Sequence, residues 1–346
     1  MSQNEKNADT PGRNQNHDRG ASHILRDNLW VPVRKRLGGL MLKTVLTSLT
    51  RSTGIAPFTY PRVHGLERIR NISYRNTGKQ YHKLDITRPI KRKGPLPVVL
   101  YIHGGAFRML SKESHWVITL AYGRDDYVVF NINYRLAPQH KFPAAIEDAC
   151  HALAWVIQNA SKYGGDPSRL VLAGESAGGN LVTSLAMAAS YPQPEPWART
   201  IFDANPQIRA VVPACGMLQV SNPERLVQSE KLPTWIKDRV VSTTEAYLPN
   251  PECAPGTHPL ADPLVVIEEN LQPERPLPPF FIPVGTRDPL LDDTRRLGKA
   301  LDAHGVPNQT AFYEGEVHAF HAMMWRKAAR QCWRDTFAFL NRFVPR

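Results

Sequence analysis

A serine pentapeptide, Gly174-Glu175-Ser176-Ala177-Gly178, stands between an apolar β-rich run and a helical stretch. The β-rich run is Leu170–Ala173, and the helical stretch covers residues 177–190. The pattern G-x-S-x-G predicts a tight strand-to-helix turn here, because its serine needs strained backbone angles and small neighbours. By itself the pattern is weak, since a glycine-rich turn can simply pack a helix on a sheet. With this context we interpret Ser176 as a nucleophile, beside a helix N-terminus that offers N–H groups to a developing oxyanion.

The regular part of the sequence begins after about residue 66 and alternates short β-rich runs with helical stretches. The β-rich runs are Ile69–Tyr74, Lys83–Thr87, Pro97–His103, Val128–Tyr134, Leu170–Ala173, Ile208–Pro213, Phe280–Val284 and Thr310–Tyr313. The helical stretches lie near residues 143–160, 177–190, 292–304 and 321–342. This alternation predicts an α/β fold with eight strands in one mostly parallel sheet, which begins with an antiparallel pair. Residues 191–206 and 218–278 are proline-rich and irregular, so we expect insertions over one end of the sheet.

Composition excludes several classes of protein. The chain has 346 residues, of which 42% are hydrophobic, so it can build a large core and is not disordered as a whole. No apolar run approaches the roughly 20 residues of a membrane-spanning helix. The cysteines are far apart and show no metal-ligand spacing. We therefore expect free, mostly buried thiols, a cytoplasmic location and no metal site.

The net charge of +12 is concentrated in the N-terminal part of the chain. Residues 1–100 carry 19 Lys and Arg against 6 Asp and Glu, so residues 101–346 have a net charge of −1. A nucleic-acid-binding module would need a basic face on the folded body, so we expect no nucleic-acid partner. The basic excess allows weak contact between the N-terminal region and an anionic membrane surface.

The first 65 residues contain two different segments. Residues 1–22 have no Val, Ile, Leu, Phe, Tyr or Trp and predict a disordered tail. From Trp30 to Leu49, apolar residues recur at helical spacing with basic residues between them. This helix either covers an active-site pocket of its own chain or lies on a membrane surface. We favour the first, because a basic amphipathic stretch more often packs on its own protein.

A second glycine-rich loop, His103-Gly104-Gly105-Ala106-Phe107, follows the third β-rich run. Acyl transfer needs hydrogen-bond donors where negative charge develops. Backbone N–H groups of Gly104, Gly105 and Ala106, together with that of Ala177, are the candidate donors. A simple turn that leaves the strand is the alternative. We expect His103 to hold the loop by hydrogen bonds rather than to act as a base.

Together these motifs resemble the hormone-sensitive-lipase family of α/β-hydrolase esterases. The resemblance rests on the two glycine-rich loops and on the segment Asn133–Pro138, and it runs from about residue 66 to the C-terminus. It implies an α/β-hydrolase fold whose eight-stranded, mostly parallel sheet is flanked by helices. It also implies carboxylesterase activity on short- and medium-chain acyl esters without a cofactor. Residues 66–346 would form the catalytic domain, with a helical cap made from residues 23–65 and an insertion at about 218–260.

The sequence departs from the family pattern at three positions. Glu175 replaces the usual Asp before the serine, Ala106 replaces the last glycine of the His-Gly-Gly-Gly loop, and Gln139 replaces an acidic residue. Ala106 can still serve if its backbone angles permit, because the N–H group is what binds the oxyanion. These changes concern substrate preference and not the reaction class. We expect Glu175 to brace the turn through a salt bridge or hydrogen bond.

The acid of a catalytic triad in this fold lies between the serine and the histidine in the chain. Asp288 follows the run Phe280–Val284 and matches the family's Asp-Pro-Leu motif, which implies that it is the triad acid. Asp292 and Asp293 are rivals, although each can equally cap the following helix. We favour Asp288 because of its place at a strand end.

Two histidines, His318 and His321, follow the last predicted strand. The segment His318-Ala319-Phe320 matches the family motif whose first residue is the base, which implies that role for His318. We expect His321 to begin the final helix. The ordered set Ser176, Asp288 and His318 predicts a small-molecule ester substrate.

Three side chains are candidates to line the substrate pocket: Phe107, Met217 and Trp235. Core or cap packing explains each of them equally well. Rival activities remain open on the same fold, namely amide or formamide hydrolysis of the arylformamidase type and membrane-surface lipase activity. A receptor without activity is disfavoured by the presence of His318. The sequence does not decide between a monomer and a homodimer.

Overall fold

The computed structural model describes residues 59–228, 232–269 and 271–345. The predicted tail of residues 1–22 and the amphipathic stretch Trp30–Leu49 lie outside these residues. Most of the predicted N-terminal cap segment, residues 23–65, also lies outside them.

Within the described residues, eight strands form one sheet, as the sequence predicts. They are β1 (Leu66–Ser73), β2 (Lys83–Pro89), β3 (Leu96–Ile102), β4 (Val128–Ile132), β5 (Gly165–Glu175), β6 (Ile208–Ala214), β7 (Phe280–Gly285) and β8 (Asn308–Tyr313). Their order is β1-β2-β4-β3-β5-β6-β7-β8. β2 pairs antiparallel with both β1 and β4, and the other pairs are parallel. The predicted antiparallel start and mostly parallel sheet are therefore confirmed.

Helices cover both faces of the sheet. In the described part of the chain they are α1 (Lys112–Arg124), α2 (Ala144–Asn159), α3 (Ala177–Ser190), α4 (Pro196–Ala204), α5 (Glu224–Val227), α6 (Thr234–Tyr247), α7 (Pro263–Glu268), α8 (Leu291–Ala303) and α9 (Lys327–Phe343). Within these residues no helix combines the length and the apolar composition needed to cross a lipid bilayer. All four cysteines are free, and Cys253 is the one that is partly exposed.

The central strands explain how the core is divided. In β3, Val98, Leu100 and Ile102 face one layer of helices, which includes α2 and α3. Val99 and Tyr101 face the other layer, which contains side chains of α1 and α9. Side chains alternate across a strand, so a strand covered on both faces is apolar throughout. The continuous apolar runs in the sequence arise from this double burial.

The structure differs from the sequence prediction at the last helix. We expected this helix to begin at His321, but α9 begins at Lys327. Ala319 has a left-handed backbone (φ 55°) and starts a short 3₁₀ turn, Phe320–Ala322, so the chain bends before the helix. His321 is buried in this turn, and its carbonyl accepts a hydrogen bond from Trp333 Nε1 (3.0 Å).

Helices also occur where the sequence predicts none. α1 begins with a buried lysine, Lys112, whose ammonium pairs with Asp85 on β2 at 2.8 Å. Because polar side chains occupy part of its inner face, α1 lacks a clear apolar stripe. α4 and α6 lie inside the two proline-rich segments predicted to be irregular. Proline at the start of α4 is compatible with a helix, since the first turn needs no N–H from it.

The topology brings several loops to one edge of the sheet. The strands β3, β5, β6, β7 and β8 are parallel, so their carboxyl ends lie on the same side. Ligands of open α/β sheets bind at this edge. The segments that follow these five strands carry the candidate residues named above.

Candidate active site

Ser176 lies in a sharp turn between β5 and α3. Its backbone angles, φ 54° and ψ −118°, are rare for a residue other than glycine. The Ser176 N–H donates to the Ala214 carbonyl (2.9 Å), and its carbonyl accepts the N–H groups of Asn180 (3.1 Å) and Met217 (3.2 Å). A Cβ atom at Gly178 would clash with the carbonyl of Ile102. The predicted strained turn with small neighbours is therefore present, and hydrogen bonds on both sides hold it.

The glycine-rich loop after β3 packs directly against this turn. A Cβ atom at Gly104 would lie 3.1 Å from Ser176 Cβ. Gly105, Ala106 and Phe107 have φ angles of 110°, 55° and 57°. Ala106 thus adopts the left-handed backbone that the missing glycine would favour. The loop that packs on the serine turn therefore contains three successive residues at positive φ.

The structure corrects the prediction for Gly104. Its N–H donates to Glu175 Oε1 at 2.8 Å, so this donor is used within the protein. The reason is that Glu175, the residue before the serine, turns its side chain back beneath the loop. Gly105, Ala106 and Ala177 remain as candidate oxyanion donors.

Asp288 and His318 come together at the ends of β7 and β8. His318 Nδ1 lies 2.9 Å from Asp288 Oδ2 and 3.1 Å from Oδ1. Asp288 is buried and also accepts the N–H of Leu290 (2.8 Å), while the His318 side chain is 35% exposed. Burial disfavours a charged imidazole, but the adjacent Asp288 carboxylate outweighs it and holds the pKa of His318 well above its usual value. The pair is thus arranged to stabilise an imidazolium.

Two of the rival residues, Asp293 and His321, lie in surroundings that suit neither the acid nor the base of a triad. Asp293 is buried and accepts the N–H groups of Leu218 (2.9 Å) and Gln219 (3.3 Å), and Arg225 Nη2 lies 2.7 Å from its Oδ1. It fastens the segment after β6 and does not cap α8, whose N-cap is Leu290. Burial lowers the pKa of His321 to about 4. Neither residue competes with Asp288 or His318 for its partner.

Glu175 braces the two loops, as expected from the sequence. Its carboxyl group accepts the Gly104 N–H and a hydrogen bond from the Tyr101 hydroxyl, and His115 Nε2 lies 2.6 Å from its Oε1. The carboxyl group is buried, and this burial raises the pKa of Glu175 to about 7. Burial also lowers the pKa of His115 to about 4.

His103 supports the loop, as expected, and is not placed as a base. Its Nδ1 lies 2.7 Å from the Gly104 carbonyl, and its own carbonyl accepts the Tyr134 hydroxyl (2.9 Å). The imidazole stacks on the Tyr134 ring with 4.4 Å between centroids. Burial lowers the pKa of His103 to about 3, so the ring is neutral near pH 7.

The three candidate pocket residues have different surroundings. Phe107 has no exposed surface, because Tyr247 at the end of α6 stacks on its ring with 3.8 Å between centroids. Met217 is also buried, and its N–H donates to the Ser176 carbonyl (3.2 Å). Trp235 lies on α6 with 59% of its surface exposed. Met217 therefore adjoins the serine turn, whereas Phe107 is a packed side chain beneath α6.

Sequence reasoning missed Cys215, which follows β6. The potential ligand atoms of Cys215, Asp288 and His318 lie within 4.8 Å of one another. Burial raises the pKa of the Cys215 thiol, which keeps it protonated. Asp288 and His318 already bind each other, so their geometry is explained without a metal ion. Only the place of Cys215 directly after a strand could have drawn attention to it.

Known proteins share this fold and resemble part of this sequence. A family model described as the alpha/beta hydrolase fold matches residues 99–322. The carboxylesterase NlhH of Mycobacterium tuberculosis is 30% identical over 65% of this chain and 66% of its own length. Esterase LipI of the same organism is 32% identical over 65% of each chain. The matched region thus spans slightly less than two thirds of each relative.

A solved structure agrees with these sequence matches. The hyperthermophilic esterase of Pyrobaculum calidifontis superposes with a TM-score of 0.67 at 25% identity, over 90% of this chain and 96% of that one. Because the family model covers well over half of the chain, the protein belongs to the hormone-sensitive-lipase-like family of α/β hydrolases.

Proposed function

We propose that this protein is a serine carboxylesterase that hydrolyses short- to medium-chain acyl esters of small molecules. The observation that carries the proposal is the Asp288–His318 pair, joined by contacts of 2.9 and 3.1 Å at the sheet edge that also carries the strained serine turn. The names of NlhH and LipI, a carboxylesterase and an esterase, support the same reaction class. The mechanism requires no cofactor.

The proposed reaction begins when His318 accepts the hydroxyl proton of Ser176 and the serine oxygen attacks the ester carbonyl carbon. The N–H groups of Gly105, Ala106 and Ala177 stabilise the oxyanion. The tetrahedral intermediate collapses, the bond to the alcohol oxygen breaks, and His318 protonates the leaving alcohol. Water, deprotonated by His318, then attacks the acyl-enzyme and releases the carboxylic acid and Ser176.

Asp288 holds His318 in the tautomer that carries the Nδ1 proton. Its carboxylate also stabilises the imidazolium that forms in both steps. The same interaction with Asp288 raises the pKa of His318 before any substrate reacts.

We further propose that residues 66–346 form the catalytic domain and that the segment at about 218–260 forms part of a cap. α6, which lies in that segment, contacts the glycine-rich loop through Tyr247 and through Ser242, which binds Arg108. Exposed Trp235, on the same helix, would then face an incoming substrate. The acyl-length limit would depend on this segment.

Hydrolysis of a p-nitrophenyl ester series, from acetate to palmitate, tests the proposal. We expect the wild type to prefer the shorter chains and the Ser176→Ala variant to lose activity on all of them. Activity that survives in Ser176→Ala would show that another group is the nucleophile. Hydrolysis of a matched anilide in preference to the ester would instead indicate an amidase.

A further inference from the structure

The glycine-rich loop holds a conformation that its own sequence does not favour. Gly105, Ala106 and Phe107 all have positive φ, and two of these three residues carry a Cβ atom. Left-handed backbone angles are unfavourable for such residues, particularly for a bulky one such as phenylalanine. They persist only where neighbouring structure fixes them. Contacts with neighbouring elements must therefore keep this loop in place.

One contact is the ring of Tyr247, the last residue of α6. It lies nearly parallel to the Phe107 ring, with an angle of 11° and 3.8 Å between centroids, and both rings are fully buried. Backbone hydrogen bonds fix both partners: the Tyr247 carbonyl accepts the Phe142 N–H (2.8 Å), and the Phe107 carbonyl accepts the Ala137 N–H (2.8 Å). The stack therefore joins α6 to the loop at Phe107, the bulkiest of its three residues with positive φ.

A second contact lies on the next residue of the loop. Arg108 Nη1 donates to both the carbonyl and the Oγ of Ser242, at 3.2 Å each. Ser242 stands five residues before Tyr247 on the same helix. α6 thus holds two consecutive loop residues, one by ring stacking and the other by hydrogen bonds.

The hydroxyl group of Tyr247 takes no part in this connection. Its oxygen is buried and has no hydrogen-bond partner within the described part of the chain. The ring, rather than the hydroxyl, makes the contact. Phenylalanine at this position would keep the stack, so the chain offers a matched control.

We infer that α6 sets the oxyanion hole, with Tyr247 and Arg108 as positioning residues that keep Ala106 and Phe107 in their left-handed conformations. This inference rests on the proposed esterase function, because the loop supplies oxyanion donors only if acyl transfer occurs here. Without the stack, Phe107 can relax toward negative φ. The Ala106 N–H then turns away from the developing oxyanion.

The expected kinetic signature is specific to the transition state. The oxyanion carries its full charge only there, so a misplaced donor lowers kcat and leaves ground-state binding largely unchanged. Loss of one donor from a comparable site lowers kcat roughly 10²–10³-fold. A loop that retains its position part of the time should lose less, about 10- to 100-fold.

The test compares Tyr247→Leu with Tyr247→Phe on p-nitrophenyl butyrate. We expect Tyr247→Leu to lower kcat with KM within about twofold of the wild type, and Tyr247→Phe to match the wild type in both. Hydrogen–deuterium exchange of the peptide covering residues 103–110 gives a second readout. Its amides should exchange faster in Tyr247→Leu and at the wild-type rate in Tyr247→Phe.

Exchange separates this inference from the proposed function, because it needs no turnover. If the wild type hydrolyses no ester, the esterase proposal fails while exchange still decides whether α6 holds the loop. Unchanged loop exchange and unchanged kcat in a folded Tyr247→Leu variant would overturn the inference. A rise in KM with constant kcat would also overturn it, because the helix would then act on substrate binding alone.

A second variant, changed outside the core, tests the inference if Tyr247→Leu does not fold. Arg108→Met removes the hydrogen bonds to Ser242 but keeps the aliphatic part of a half-buried side chain. We expect a fall in kcat of several-fold, faster exchange of residues 103–110 and little change in KM. Wild-type kcat and exchange in this variant would argue against a positioning role for Arg108.

Discussion

The Gly104 N–H donates to Glu175 Oε1 at 2.8 Å, so the residue before the serine supports the loop that faces it. Two turns that are 71 residues apart in the chain are thereby joined by one side chain. An aspartate at this position has a shorter side chain and would have to span the same distance to the Gly104 N–H group. The longer Glu175 also reaches His115 and Tyr101, so a buried polar cluster underlies the proposed oxyanion hole.

Glu175→Gln should become more stable relative to the wild type as the pH rises. Burial raises the pKa of Glu175 from 4.5 to about 7, so the folded chain binds this proton more strongly than the unfolded chain. The resulting stability is complete below about pH 4.5 and is lost as the pH rises through about 7. Glutamine is neutral at every pH, so the variant does not lose stability in this way.

Urea denaturation of Glu175→Gln and the wild type at pH 5 and pH 8 measures the effect. The exposed Glu252 provides a control, since Glu252→Gln should differ from the wild type equally at both pH values. A difference between Glu175→Gln and the wild type that stays constant with pH would contradict the prediction.

The acid limb of the pH–rate profile should lie above pH 6.5. Burial opposes a charged imidazole, but Asp288 outweighs it and holds the pKa of His318 well above 6.5. A general base must be neutral, so kcat/KM falls as the pH drops through this raised value. Asp288→Asn should move the limb to lower pH and lower kcat by about 10⁴-fold.

Steady-state measurements with p-nitrophenyl butyrate between pH 5 and pH 9 give both values. Kinetic studies of Asp292→Asn provide the control, because Asp292 is exposed in the first turn of α8. An acid limb that Asp288→Asn leaves in place would show that the carboxylate does not set the pKa of His318.

Much of this arrangement is predictable from the sequence because its signals are local. The turn at Ser176 needs small neighbours within a few residues, and the strands show themselves by continuous apolar runs such as Val98–Ile102. Asp288 and His318 each follow a strand whose carboxyl end reaches the same edge. Parallel strand topology then brings together residues that are far apart in the chain.

The remaining features depend on contacts that local sequence does not encode. The stack of Phe107 on Tyr247 joins a loop to a helix 140 residues later in a proline-rich segment. The sequence does not predict α1, because the Lys112–Asp85 ion pair places a charge on the buried face of this helix. The start of α9 depends on the left-handed backbone of Ala319. An alanine in the sequence does not predict this conformation.

Ser176→Gly should be more stable than Ser176→Ala, although both variants lack the proposed nucleophile. At φ 54° and ψ −118° a Cβ atom is unfavourable, and only glycine adopts these angles freely. Relief of this strain should raise the free energy of unfolding by about 1 kcal/mol relative to alanine. Chemical denaturation of the two variants measures the difference directly. Equal stabilities would mean that the turn stores no strain at this residue.

Asp293→Asn should separate stability from catalysis. Asp293 is buried, accepts two backbone N–H groups and pairs with Arg225 at 2.7 Å, so its loss leaves a largely buried guanidinium without its carboxylate. Breaking a buried pair in this way costs about 3–5 kcal/mol.

Asp293 does not contact His318, so Asp293→Asn should keep most of its activity. At a temperature where this variant is folded, its kcat should fall less than about tenfold, whereas roughly 10⁴-fold is expected for Asp288→Asn. Thermal denaturation and kcat, measured on both variants, test this contrast. If Asp293→Asn lost activity as completely as Asp288→Asn while it remained folded, the assignment of the triad acid to Asp288 alone would be wrong.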